Sequence, residues 1–123
     1  MNTLYGIKNC DTVKKARQWL DRNAIDYRFH DLRNDGLSPQ LIRHWIEKSG
    51  WKTLLNQRST SWRQLNDEQK SDLTEAKAIQ LMLESPTLIK RPVLDTGNHV
   101  IVGFKEESYR TGLQDTNSAK QIG

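Results

Sequence analysis

The chain has 123 residues, the size of one ordinary domain, and its net charge of +4 is spread along the whole length, which describes ordinary surface charge rather than a nucleic-acid footprint. Hydrophobic residues make up 35% and include four Trp, enough for a lean core, while no apolar run nears the length of a membrane span and the N-terminus shows no signal-peptide pattern. A lone cysteine forbids an internal disulfide and fits a reducing compartment, so the chain is read as cytoplasmic.

A short apolar run from Leu4 to Ile7 reads as a strand. After a polar turn, apolar residues recur at Val13, Ala16 and Leu20, the spacing of one helix face. Asp11 or Thr12 is placed to cap that helix through its side-chain oxygen. Cys10 therefore sits at a strand-to-helix junction, where the helix dipole is positive and unpaired N–H donors point outward. Both effects favour a thiolate over a thiol, and Lys8, Lys14 and Lys15 add positive charge nearby. Residues Tyr27 to Asp31 then alternate apolar with polar, a second strand. Strand, helix and strand make a βαβ unit with its two strands parallel and adjacent. His30 falls on the polar side of the alternation and reads as a surface or edge residue.

Asn34-Asp35-Gly36 is a turn, and the helix after it carries clear signals. Ser38 fits the N-cap, Pro39 the first helical position, and Leu37 with Ile42 a hydrophobic staple. Leu41, Ile42, Trp45 and Ile46 form its apolar face, and Gly50 stops it. His44 lies off that face and is given no role. A helical turn over Trp51 to Leu55 leads to a polar loop, a short helix ending near Leu65, and a cap at Asn66 with Gln69 three residues on. The next helix opens at Thr74-Glu75, with Ala76, Ile79, Met82 and Leu83 as its apolar residues, and closes at Ser85-Pro86. The chain then returns to strand. Residues Arg91 to Leu94 and His99 to Val102 flank Asp95-Thr96-Gly97-Asn98 as a β-hairpin, and residues 103–109 suggest a last helix.

A βαβ unit, a helical block, then an antiparallel hairpin and a terminal helix describe an α/β, thioredoxin-like fold. The expected organisation is one domain over residues 1–113, a helical insertion over about 38–84, and a polar tail over 114–123. Pro92 is the detail at issue, because proline cannot donate to a sheet ladder. A trans proline opening an edge strand satisfies the local pattern; so does a cis Arg91–Pro92 bond beside the cysteine loop.

The run from Tyr5 to Ala16 (YGIKNCDTVKKA), the run from Leu88 to Leu94 (LIKRPVL) and Gly103-Phe104 resemble the arsenate reductase-like ArsC/Spx family, most closely its YffB-like subgroup. The resemblance covers nearly the whole domain. It implies a thioredoxin fold with a helical insertion, a nucleophilic Cys10, a cis Pro92 and anion-binding arginines, with Arg91 the firmest of them. Arsenate reductases of that family commonly carry His, Ser and Arg where this chain has Gly6, Val13 and Asn56. The placement of Arg58 before Ser59 is closer to the Spx branch, and Lys105 lies near their third arginine. Spx regulators often have a Cys-x-x-Cys pair, whose second position here is Val13.

A monothiol chemistry fits these residues. A thiolate at Cys10 attacks a disulfide sulfur or an electrophilic oxyanion. No second cysteine can resolve the adduct, so an external thiol must, with glutathione the abundant candidate. Arg58 and Arg91 supply planar forks for its carboxylates or for an oxyanion, and Lys8, Asn9, Thr12, Pro92 and Lys105 complete the expected binding set. Arg33, Arg63 and Arg110 read as surface residues. Two functions are carried forward. One is a glutathione-dependent thiol reductase acting on a small disulfide or oxyanion. The other is a Spx-like regulator docking on RNA polymerase without redox catalysis. No metal, membrane or direct nucleic-acid partner is expected.

Overall fold

The structure, a computed structural model, describes residues 1–113; the tail expected over 114–123 lies outside them. In chain order the elements are β1 (Thr3–Gly6), α1 (Asp11–Arg22) and β2 (Arg28–Asp31). Then come α2 (Pro39–Ser49), α3 (Trp51–Leu54), α4 (Thr60–Arg63), α5 (Asp67–Lys70), α6 (Glu75–Glu84) and a 3₁₀ turn over Pro86–Leu88. β3 (Val93–Asp95) and β4 (Val100–Val102) follow, and residues 106–113 form the helix α7. The chain divides into two compact units: residues 1–32 with the chain from Arg91 onward, and Arg33–Lys90. The helical unit is therefore wider than the expected insertion over about 38–84.

The first unit is built on a four-stranded sheet of order β2-β1-β3-β4. β1 runs parallel to β2 and antiparallel to β3, and β3 runs antiparallel to β4. This is the mixed sheet of a thioredoxin-like fold. Its core gathers Leu4, Ala16, Trp19, Leu20, Leu94, Tyr109 and Leu113. The Tyr109 ring meets Trp19 and Phe104 edge-on, with centroids 5.8 and 4.9 Å apart, a favoured geometry for aromatic pairs. β3 begins at Val93 rather than Arg91, since Pro92 has no N–H to give the ladder. The hairpin closes with Asp95 opposite Val100, so its loop is Thr96 to His99. There the Thr96 hydroxyl accepts from the Asn98 and His99 amides, and Gly97 adopts φ +94°. α7 starts later than expected because Gly103, at φ +80°, still serves the sheet: its N–H donates to the Pro92 carbonyl at 2.8 Å.

In the helical unit, α2 packs on α3 and α6, and the 3₁₀ turn packs on α6. Ser38 caps α2 by accepting from the Leu41 amide, Pro39 opens it, and Gly50 ends it at φ +85°. Asn66 and Gln69 form a reciprocal capping box on α5, and Thr74 caps α6. The buried residues of α6 are Ala78, Ile79, Leu81 and Met82, whereas Ala76 is exposed and Leu83 half-buried. Contact with α2, α3 and the 3₁₀ turn rotates the buried face away from the one that sequence spacing suggests.

Candidate functional site

β1 ends at Gly6; Ile7 is buried, Lys8 and Asn9 make an exposed turn, and the chain arrives at Cys10. Cys10 is itself the N-cap of α1, with extended backbone (φ −110°, ψ 122°), and its carbonyl accepts from the Lys14 amide at 3.0 Å. Asp11 and Thr12, expected as caps, are the first two helical residues instead. Among the described residues no side chain caps the helix, so its first-turn amides have neither an intrahelical acceptor nor a side-chain one there. The Cys10 thiol is half-buried and free of any disulfide. Around it Lys8, Asn9, Thr12, Lys14 and Lys15 are exposed.

The register of the sheet identifies what shares this end. Tyr5 lies opposite Val93, so one step further along the antiparallel pair sets Gly6 level with Pro92. The Leu32 amide donates to the Gly6 carbonyl at 2.9 Å, and the Gly103 amide donates to the Pro92 carbonyl. The cysteine turn and Arg91 thus extend from the same edge of one sheet. The Arg91–Pro92 peptide is cis, and Pro92 is buried. Arg91 is half-buried, and its Nε and Nη1 atoms are closed off from solvent with no hydrogen-bond acceptor among the described residues. Lys105 is exposed just past Gly103, and its carbonyl accepts from the Tyr109 amide at 3.1 Å.

Arg58 belongs to the helical unit. Its amide donates to Asn56 Oδ1 at 3.1 Å, and its exposed side chain lines an open cavity of about 640 Å³ with Lys52, Asn56 and Lys90. The Lys90 amide donates to the Leu54 carbonyl at 2.8 Å, which holds the chain on either side of this cavity together.

Two features of the sheet edge escape sequence reasoning. Asp31, paired with Gly6, is only 4% exposed: it shares the face of Phe29 on β2, but nothing in a charged residue type signals that burial. Gly6 lies directly beneath Val13 of α1, a contact that only the packed fold reveals. Among the described residues no group of His, Cys, Asp and Glu could hold a metal ion, and no helix is long and apolar enough to cross a membrane.

Comparison with known proteins agrees with this geometry. The ArsC family matches residues 5–112. A protein of Haemophilus influenzae is 44% identical over 113 residues, which is 92% of this chain and 99% of its own. The global transcriptional regulator Spx of Lactiplantibacillus plantarum is 29% identical over 115 residues, covering 92% of this chain and 86% of that protein. Among solved structures, a YFFB protein superposes with a TM-score of 0.87 at 50% identity, over 90% of this chain and 97% of that one. An arsenate reductase (ArsC) related protein from Brucella melitensis gives 0.73 at 43% identity, over 89% and 92%. The match runs through β1, the Cys10 turn, the helical unit and the hairpin alike: the chain belongs to the ArsC family.

Proposed function

We propose that this protein is a glutathione-dependent thiol reductase that uses Cys10 as its one nucleophile against a small disulfide or oxyanion. The observation that carries the reading is Arg91, whose two buried guanidinium nitrogens lack an acceptor among the described residues at the sheet end from which the cysteine turn leaves. An unpaired buried donor costs roughly 1–3 kcal/mol, and more when charged. The guanidinium edge is a planar fork suited to a carboxylate or an oxyanion, so an anionic substrate group would satisfy it. The uncapped amides of α1 offer a second, weaker attraction for the same charge. Arg58 supplies a further anion-binding fork in the helical unit, and Lys8, Asn9, Thr12 and Lys105 supply exposed polar groups.

For a glutathione mixed disulfide the chemistry balances in two exchanges. The Cys10 thiolate attacks the glutathione sulfur; the Cys10–glutathione bond forms, the substrate disulfide breaks, and the released thiolate takes a proton from water. A second glutathione, as thiolate, then attacks the adduct, leaving as oxidised glutathione and returning Cys10. The external thiol is obligatory because the chain has one cysteine. Kinship to an arsenate reductase (ArsC) related protein and to a possible arsenate reductase from Streptococcus mutans supports a reductase. A second reading rests on kinship to the Spx proteins: a transcriptional regulator that docks on RNA polymerase.

The test is to incubate wild type and Cys10→Ser with a mixed-disulfide substrate and glutathione, following turnover and the protein mass. Wild type should turn over and accumulate a glutathione adduct that excess glutathione removes; Cys10→Ser should do neither. Equal background rates in the two proteins would discard the reductase in favour of the regulator.

A further inference from the structure

We infer that Gly6 and Val13 form a positioning pair that sets where the Cys10 thiol stands, an inference that rests on Cys10 being the nucleophile. Gly6 is buried at the end of β1, and its backbone carries no positive φ, so the glycine is not there for conformational freedom. It is there for space. A Cβ at position 6 would lie 2.8 Å from Val13 Cγ2 and 3.1 Å from Val13 Cγ1, both inside ordinary van der Waals contact. The added atom would also stand 3.6 Å from Phe29 Cε1, an ordinary contact that limits any shift towards that ring.

Three possible responses can be compared. The strand cannot give way, because β1 is an inner strand held by β2 and β3, and the Gly6 carbonyl is tied to the Leu32 amide. Val13 cannot swing aside, because a helical valine has one strongly preferred rotamer and both of its methyl groups face the intruder. What remains is the first turn of α1, which ends in solvent and has no side-chain cap to anchor it. Val13 is the third residue of that helix and Cys10 is its N-cap, so any lift of Val13 carries the thiol with it. Restoring a normal contact needs a displacement of roughly 1 Å, and a misplacement of that size at a reacting group can cost about a hundredfold in rate. Gly6 and Val13 do not touch the reacting sulfur themselves; they act through the helix start.

The experiment uses the full chain with Gly6→Ala, Val13→Ala and the double variant. It reads the alkylation rate of Cys10 by iodoacetamide, reductase kcat and KM, and urea midpoints. Gly6→Ala should lower kcat by about ten- to a hundredfold with KM within about threefold, since Arg91, the stronger hold on the substrate's charge, lies outside α1 and only the weaker attraction of the α1 amides shifts. Its alkylation rate should change by more than about threefold. The double variant should return both rates to within about threefold of wild type, because the added methyl group occupies the space that the truncated valine leaves. If Gly6→Ala does not fold, Val13→Ala and the double variant decide: the single truncation should alter the alkylation rate and the double should restore it. Wild-type rates in Gly6→Ala, or a loss that the double variant does not recover, overturn the pair. If wild type lacks reductase turnover, the proposed function falls, while the alkylation rates still judge the positioning pair.

Discussion

Replacing Arg91 with methionine should make the protein more stable and less active at once. Methionine keeps an unbranched apolar stem of similar length and removes the guanidinium. In the structure Nε and Nη1 are buried without an acceptor among the described residues, so the folded protein bears their desolvation unrelieved. At roughly 1–3 kcal/mol for one unsatisfied buried donor, partly offset by imperfect repacking, Arg91→Met should raise the unfolding free energy by about 1–2 kcal/mol. Turnover should move the other way. A charge-assisted hydrogen bond to a substrate carboxylate or oxyanion is worth about 1.5–3 kcal/mol, which corresponds to roughly ten- to a hundredfold in kcat/KM. Urea unfolding monitored by tryptophan fluorescence gives the first quantity, and steady-state reduction of a glutathione mixed disulfide gives the second. A variant that is less stable than wild type yet equally active would refute the reasoning, because Arg91 would then be a structural residue with its partners already in place.

Tyr109→Phe should also stabilise, since the Tyr109 side chain is fully buried and its hydroxyl has no partner among the described residues; about 1 kcal/mol is expected at neutral pH. Burial pushes the Tyr109 hydroxyl above the usual tyrosine range, so above pH 10 the unfolded chain releases a proton that the folded one keeps. Wild type then loses about 1.4 kcal/mol per pH unit through this group, and the variant's advantage in urea midpoint should widen between pH 8 and 11; a constant or reversed difference would contradict it. Ser38→Ala removes the acceptor for the Leu41 amide at the start of α2 and should lower stability by about 1 kcal/mol, read as a shift in urea midpoint without loss of Cys10 alkylation.

Sequence reasoning succeeds where the governing signal is local. Ser38, Pro39 and Gly50 frame α2 because an N-cap oxygen, a proline ring and a positive φ each act within one helical turn. The capping box at Asn66 and Gln69 is legible for the same reason. At α1 two local candidates, Asp11 and Thr12, outrank Cys10 by capping preference, yet the helix starts after Cys10. That choice follows from where Val13 must sit over Gly6, a tertiary constraint. The burial of Asp31 is hidden by residue type instead: the period-two pattern places it on the face of Phe29, but a carboxylate is rarely buried and gives no sign of it. Tyr109 reads as the close of a short last helix; in the fold it is among the largest fully buried side chains, because the helix starts at residue 106 and turns that ring into the sheet. Of the candidate site, residue types were legible and positions were not. A lone cysteine ahead of an amphipathic helix and an Arg-Pro before a hairpin stand out in the sequence, but their shared sheet edge comes from the pairing of β1 with β3.

That shared edge also bears on the choice between catalyst and scaffold. A docking surface gains from exposed, fully hydrated charge, because its arginines must be free to meet a partner at little cost of desolvation. Arg91 is the opposite case, with two nitrogens already stripped of water before any partner arrives. Prepaid desolvation is what a site for a small anion needs, since it places the donors without further ordering when the charge arrives. The same holds at Cys10, whose neighbouring amides are left uncapped although Asp11 and Thr12 stand in sequence where a capping side chain could have been. Both features lower the stability of the free protein and neither helps a passive surface. A regulator that kept this edge without using it would lose nothing by Arg91→Met or by a capped α1. The reductase reading requires both changes to cost turnover.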